Sequence, residues 1–147
     1  MYQHILVATD GSRLSDKAAK TATLLAKGVG ARLTCFNVME EYPLPAYSEF
    51  GPVVAPPLGA WKQSQKKHAL HVLAKVEKLA RANGVPCATA FATSHWPYKA
   101  IIETAKKRKC DLIVMASHGR RGLGALLLGS ETSKVLTHSK IPVLVCR

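Results

Sequence analysis

A chain of 147 residues, 48% of them hydrophobic, suits a single folded domain and is too apolar to stay disordered. No apolar run approaches the ~20 residues of a membrane-spanning helix, and the opening MYQHILVATDGS lacks the basic and long apolar regions of a secretory signal, so a cytoplasmic location is expected. A net charge of +12 invites anionic partners, yet its placement reads as solvated helix faces.

The basic residues fall in two groups. Lys62, Lys66, Lys67, Lys75, Lys78 and Arg81 lie along one helical stretch, and Lys106, Lys107, Arg108 and Lys109 end another, where cations complement the helix dipole. No specific nucleic-acid partner is expected. Cys35, Cys87, Cys110 and Cys146 form no Cys-x-x-Cys pair and read as free core thiols, and the histidines show no zinc spacing.

In chain order, residues 4–9 form a first strand whose residues 5–8 are all apolar, and Asp10-Gly11-Ser12 is a turn. Ser12 or Ser15 can cap the helix that follows, whose Ala18, Ala22, Leu25, Ala26 and Val29 repeat at helical spacing. Gly28 and Gly30 mark its end, and residues 32–39 make the second strand. Residues 40–59 hold Pro43, Pro45, Pro52, Pro56 and Pro57, which rule out a long regular element. A loop that long acts as a lid or partner surface, or is a variable, partly disordered insertion.

Helical spacing returns over 61–83, with Ala69, Val72, Leu73, Val76, Leu79 and Ala80 on one face, and Gly84 stops it. Residues 85–93 form a third strand. Pro97 opens a helix that runs to about 109 with Ile101, Ile102 and Ala105 inward. Residues 112–116 are apolar without interruption, a strand buried on both faces. A loop with three glycines, two arginines and a histidine follows, then Gly129 and Ser130, which can cap a further helix. Residues 141–146 form a last strand, and Pro142 puts it at an edge.

Strands alternating with amphipathic helices predict an α/β fold: one doubly wound, five-stranded parallel sheet with helices on both faces and right-handed crossovers. Ligands in such sheets bind beyond the C-terminal strand ends, at the switch point beside the first strand. That brings Thr9 and Asp10 beside residues 115–119, with Val38 nearby. The glycine loop leading into a helix start is an anion site in outline. Asp10, an acceptor there, makes sense with a bridging cation such as Mg²⁺ or a ribose hydroxyl, or simply as an Asp-Gly turn before the helix. Arg120 and Arg121 can pair with phosphate or stay solvated.

Other motifs fall short. Gly124 and Gly129 frame a P-loop spacing, but Ser130 stands where its Lys belongs and Glu131 where its Ser/Thr belongs. No Gly-x-Ser-x-Gly elbow is present, and His118 has no obvious nucleophile neighbour in sequence. No dedicated hydrolase constellation is assembled.

Three segments, HILVATDGS, DLIVMASHG and GSETSKVLTHSKIPVLVCR, together resemble the universal stress protein family over nearly the whole chain. Nucleotide-binding members carry Gly, two residues, Gly, nine residues, Gly, then Ser or Thr. Gly119, Gly129 and Ser130 match, while Ala116 replaces the first glycine. The resemblance implies a Rossmann-like, adenine nucleotide alpha hydrolase-like fold with strand order 3-2-1-4-5, where the related flavodoxin-like class has 2-1-3-4-5. It implies ATP as a regulatory ligand in a stress response, with little or no turnover, and a homodimer through the fifth strand. By the same resemblance Val38 meets adenine, and Ala8, Thr9 and Asp10 line the ribose and phosphates. Met115, Ala116, Gly119, Gly129, Ser130, Glu131 and Thr132 surround phosphates and ribose. Ala116 and Glu131 leave open an interaction module that binds no nucleotide, and a slow ATP hydrolase is the third reading.

Overall fold

The computed structural model describes residues 1–120 and 128–147. Its elements are β1 (His4–Ala8), α1 (Arg13–Val29), β2 (Arg32–Met39), β3 (Ala46–Ser48), β4 (Gly51–Val53), α2 (Leu58–Ala82), β5 (Cys87–Thr93), α3 (Pro97–Lys107), β6 (Leu112–Ala116), α4 (Ser130–His138) and β7 (Val143–Cys146). Five strands form one sheet in the order β5-β2-β1-β6-β7, each neighbouring pair parallel. This is the expected 3-2-1-4-5 arrangement, renumbered because two short strands inside the proline-rich segment take places three and four.

β1 is the centre. Leu6 pairs in register with Thr34 on one side and Ile113 on the other. Side chains alternate across the pleat. Ile5, Val7, Leu33, Cys35 and Val114 pack against α1 and α2, while Leu6, Phe36, Ile113 and Met115 pack against α3 and α4. Both faces are covered, which is why the inner strands are mostly apolar on both sides, with His4, Thr34 and Asn37 hydrogen-bonded as the buried exceptions.

α1 lies close to the sheet because its inward face is small: Ala18, Ala19, Ala22 and Ala26 are buried. Thr23 on that face satisfies its hydroxyl by donating to the Ala19 carbonyl at 2.8 Å. Ser12 caps its start by accepting from the Ser15 N–H at 3.2 Å, and Gly30 ends it in the left-handed conformation, φ 71°. Gly28 lies in its last turn.

α2 begins at Leu58, three residues before the sequence pattern starts, with Pro57 at the N-cap position and no side-chain cap. The first turn carries no apolar periodicity, so burial could not announce it; the fixed φ of Pro57 suits a helix entry. β5 starts at Cys87 and β7 at Val143, each two residues later than expected. In β7's case Pro142 stands just outside the strand, its carbonyl accepting from the Ile113 N–H. β5 and β7 are the two edges of the sheet. Within residues 40–59 the prolines permit only a short antiparallel hairpin, β3 with β4.

All four cysteines are free. Burial pushes the Cys35 thiol far up and the Cys110 thiol up to about 11, and the half-buried Cys87 is also raised, so these thiols stay protonated near neutral pH.

The two faces of α2 can be separated by mutation. Leu73 is 2% exposed and Leu70 is 49% exposed. Leu73→Ala is expected to cost about 2–5 kcal/mol in urea unfolding, and Leu70→Ala no more than about 0.5 kcal/mol. Equal costs would mean that the helix is rotated from the orientation described.

Candidate functional site

The chain leaves β1 at Ala8, and Thr9 holds the exit in place. Its N–H donates to the Phe36 carbonyl at 3.0 Å, and its carbonyl accepts from the Asn37 amide at 2.9 Å. Its hydroxyl lies 3.1 Å from the Ser15 hydroxyl. The next residue, Asp10, therefore emerges where β2 and β6 diverge, the switch point of the sheet.

The Asp10 carboxylate joins two loops. Oδ1 accepts from the Ser12 N–H at 3.0 Å, an Asx turn that leads into the α1 cap, and Oδ2 accepts from the Arg120 N–H at 2.9 Å. Burial alone would raise its pKa. Hydrogen bonds from Ser12, from the Arg120 N–H and from Ser15 outweigh that and hold it below the usual 3.8. Both the Asx-turn reading and the ligand reading of Asp10 remain compatible with this geometry, because each oxygen keeps a second lone pair.

The loop after β6 is tightly packed at two glycines. A Cβ on Gly119 would sit 2.6 Å from Asp10 Oδ2, so Gly119 lets the loop after β6 close on the carboxylate. A Cβ on Gly129 would sit 3.1 Å from the His118 Cα, and the Gly129 N–H donates to the Ser117 carbonyl at 2.7 Å. Gly129 thus closes the base of the loop that runs from Ser117. Gly11 answers two demands, a left-handed φ of 80° and a Cβ position only 2.7 Å from Val72 Cγ2.

α4 begins at that loop's far end. Thr132 is buried and donates to the Ala116 carbonyl at 2.9 Å, which ties the helix start to the end of β6. The N-cap is Gly129, with no side-chain cap; Ser130 is the first helical residue and is exposed. Ser130 is therefore not the cap the sequence suggested. The first-turn N–H groups have no partner within the helix and carry the positive end of its dipole.

Two departures from the family pattern are explained by packing. The Ala116 methyl belongs to the core cluster with α1, on ordinary backbone, so it replaces a hydrogen where there is room. The Glu131 carboxylate is turned toward α3: Oε2 accepts from the Tyr98 N–H at 2.8 Å and Oε1 from Lys134 Nζ at 3.1 Å. It serves as a cap for α3, which has none at Trp96.

Of the remaining expected residues, Ala8, Val38 and Met115 share one apolar cluster on the α3 and α4 side of the crevice. Arg120 contributes its main-chain N–H, and the residue itself is exposed. Arg121 lies outside the described residues. Among the described residues no group of three His, Cys, Asp or Glu could hold a metal ion.

Two contributors were not anticipated. Asn37 is buried and anchors Thr9, and its polarity inside an apolar strand was a signal. His68, on α2, sets Nε2 3.2 Å from the Asp10 carbonyl, and a Cβ on Gly11 would meet its ring at 3.4 Å. Nothing in its lysine-rich surroundings distinguished it.

The depressed Asp10 pKa has a testable consequence. A carboxylate favoured in the folded state stabilises the protein above its unfolded pKa, and that contribution fades as pH falls through the folded value. Asp10→Asn is expected to cost about 1–3 kcal/mol at neutral pH. The gap to wild type should stay level down to the ordinary value of 3.8 and shrink below it. A gap that does not vary with pH would show that the charge of Asp10 is not what holds the two loops.

The geometry has relatives. The sequence model of the Universal stress protein family matches residues 1–147. Universal stress protein MJ0531 of Methanocaldococcus jannaschii is 35% identical over 150 aligned residues, covering all of this chain and 83% of that protein. The solved structure of the hypothetical protein MJ0577 superimposes with a TM-score of 0.81 at 25% identity, over 99% of this chain and 96% of that one. A universal stress protein solved in complex with cAMP superimposes with a TM-score of 0.74 at 25% identity, over 99% and 97%. With the family's sequence pattern along its whole length and its sheet order in space, this chain belongs to the universal stress protein family.

Proposed function

We propose that the chain binds an adenine nucleotide, ATP in the leading reading, as a regulatory ligand of a cytoplasmic stress-response protein, all 147 residues acting as one domain. The observation that carries this is the uncapped start of α4 beside the Gly119 and Gly129 loop, at the switch point of a parallel sheet. Phosphates would sit on the N–H groups of Ser130, Glu131 and Thr132. The base would lie on the apolar side formed by Ala8, Val38 and Met115. The family member solved with cAMP supports the class of ligand.

Asp10 suits Mg²⁺ in the way that ion is usually held, through one or two carboxylates with phosphates and waters completing the shell. Glu131 does not oppose the phosphates, because its carboxylate already serves Tyr98 and Lys134. Ser117 Oγ lies 3.2 Å from His118 Nδ1, but no carboxylate among the described residues is hydrogen-bonded to that ring, so turnover is expected to be slow or absent, checked by product analysis after long incubation with ATP.

One observation favours the rival reading, an interaction module without nucleotide. The Gly129 N–H and both Asp10 oxygens are already engaged within the protein, so the loop closes on itself unaided. Equilibrium binding of labelled ATP, with and without Mg²⁺, decides between them. Gly129→Val is expected to reduce affinity by about 100-fold or more, because the branched side chain opens the loop base and at least two charge-assisted hydrogen bonds of ~1.5 kcal/mol or more fail together. Ser130→Ala should cost roughly tenfold or less. Ala116→Gly should leave affinity unchanged, its methyl being in the core. Undiminished ATP binding by folded Gly129→Val would remove the phosphates from this loop.

We propose, further, a homodimer through β7, an edge strand with the sequence VLVC. Val143→Lys should weaken self-association in sedimentation velocity while leaving helix content intact. A wild-type chain that is monomeric at micromolar concentration would exclude the dimer.

A further inference from the structure

α2 is longer than the strand it covers. Its 25 residues span about 37 Å, against about 26 Å for the 8 residues of β2. Val76 and Ala80 belong to the core with Leu33 and Cys35, so the excess length lies at the start of the helix, past the point where the chain leaves β2. Trp61, Gln65, His68 and Val72 recur there every three or four residues and share one face.

That face touches two chain segments that leave the sheet. The Trp61 and Tyr42 rings meet edge-on with centres 6.1 Å apart, and Gln65 Oε1 accepts from the Glu40 N–H at 3.3 Å, both on the β2 side. On the β1 side, Val72 Cγ2 fills the place of a Gly11 side chain, and His68 Nε2 lies 3.2 Å from the Asp10 carbonyl oxygen. A carbonyl only accepts, so Nε2 carries the proton and donates. That carbonyl belongs to the Asp10–Gly11 peptide. Glycine takes either sign of φ, so the local sterics of the turn do not fix this peptide plane. Two hydrogen bonds hold it: His68 on the carbonyl, and the Thr9 hydroxyl, which accepts from the Gly11 N–H at a long 3.3 Å.

We propose that His68 is a positioning residue for Asp10. Its Nε2–H fixes the Asp10–Gly11 peptide plane, and with it the turn from which the Asp10 carboxylate faces the crevice. A flip of that peptide changes ψ of Asp10 and φ of Gly11, two of the torsions that set the Ser12 N–H against Asp10 Oδ1 at 3.0 Å. The carboxylate would then lose one of its two anchors and its aim toward the Arg120 N–H, 2.9 Å from Oδ2. The effect of His68 on Mg²⁺ and phosphates rests on the nucleotide reading above, and its effect on the carboxylate does not.

The test compares His68→Leu, which keeps apolar bulk and removes the donor, with His68→Gln, whose amide nitrogen can donate from about the same place. Backbone amide exchange in the ligand-free protein reads the hold of the carboxylate on the Ser12 and Arg120 N–H groups, with the Gly129 N–H as control. In His68→Leu, exchange at Ser12 and Arg120 is expected to rise about threefold to tenfold with Gly129 unchanged, and His68→Gln should match wild type. Unchanged exchange in His68→Leu, an equal rise at Gly129, or a His68→Gln protein as loose as His68→Leu would overturn the proposal. Labelled ATP is then titrated with and without Mg²⁺. His68→Leu should weaken binding about threefold to tenfold with Mg²⁺ present and leave it unchanged without. It should cost nothing more in an Asp10→Asn background, and additive losses would overturn its action through Asp10. A wild type that binds no ATP removes the nucleotide reading and leaves the exchange result to decide the positioning.

Discussion

The structure depends on parallel pairing of β1 with two strands at once. A strand bonded on both sides and covered on both faces admits a polar side chain only where it finds a partner, and residues 5–7 are fully buried and apolar. The same arrangement sends β2 and β5 to one side and β6 and β7 to the other. The main chain that leaves β1 therefore enters a gap between two outgoing connections. Every polar contact of the candidate site follows from that gap: Thr9 held to β2, Asp10 reaching the loop after β6, and Thr132 bringing α4 back to the end of β6.

Within the gap the main chain does most of the recognition. Asp10 is gripped by two N–H groups, and the loop after β6 is closed at its base by an N–H to carbonyl bond between Gly129 and Ser117. Such contacts need close approach, and that explains why the glycines at 119 and 129 are constrained by the space around them. The first position of the family pattern faces the core instead, which is why an alanine fits there.

The two edges of the sheet and the hairpin arm are where the fold is least self-sufficient. β5 and β7 leave one side of their ladders unpaired, and the arm leaves aromatic surface in water. The arm grows from the C-terminal end of β2, beside Val38, so whatever the arm touches is mechanically close to the crevice.

Much of the architecture was legible in the sequence. Uninterrupted apolar runs at 5–8 and 112–116 read as strands buried on both faces, and helical spacing marked the inward sides of α1, α2 and α3. Strands alternating with helices then dictated a parallel sheet, and the motif around Gly119 and Gly129 located the crevice. What the sequence could not decide were matters of direction and proximity between segments far apart in the chain. Glu131 reads as a charge beside the glycine loop, yet its carboxylate turns to the start of α3, 33 residues away. Ser130 reads as a cap, yet the helix begins on it. His68 reads as one more polar residue in a basic helix, yet it rests against the Asp10 turn. Periodicity reports which face of an element is buried, because burial is a property of one segment. Which partner a polar group finds depends on how separate segments are brought together, and only the folded chain decides that.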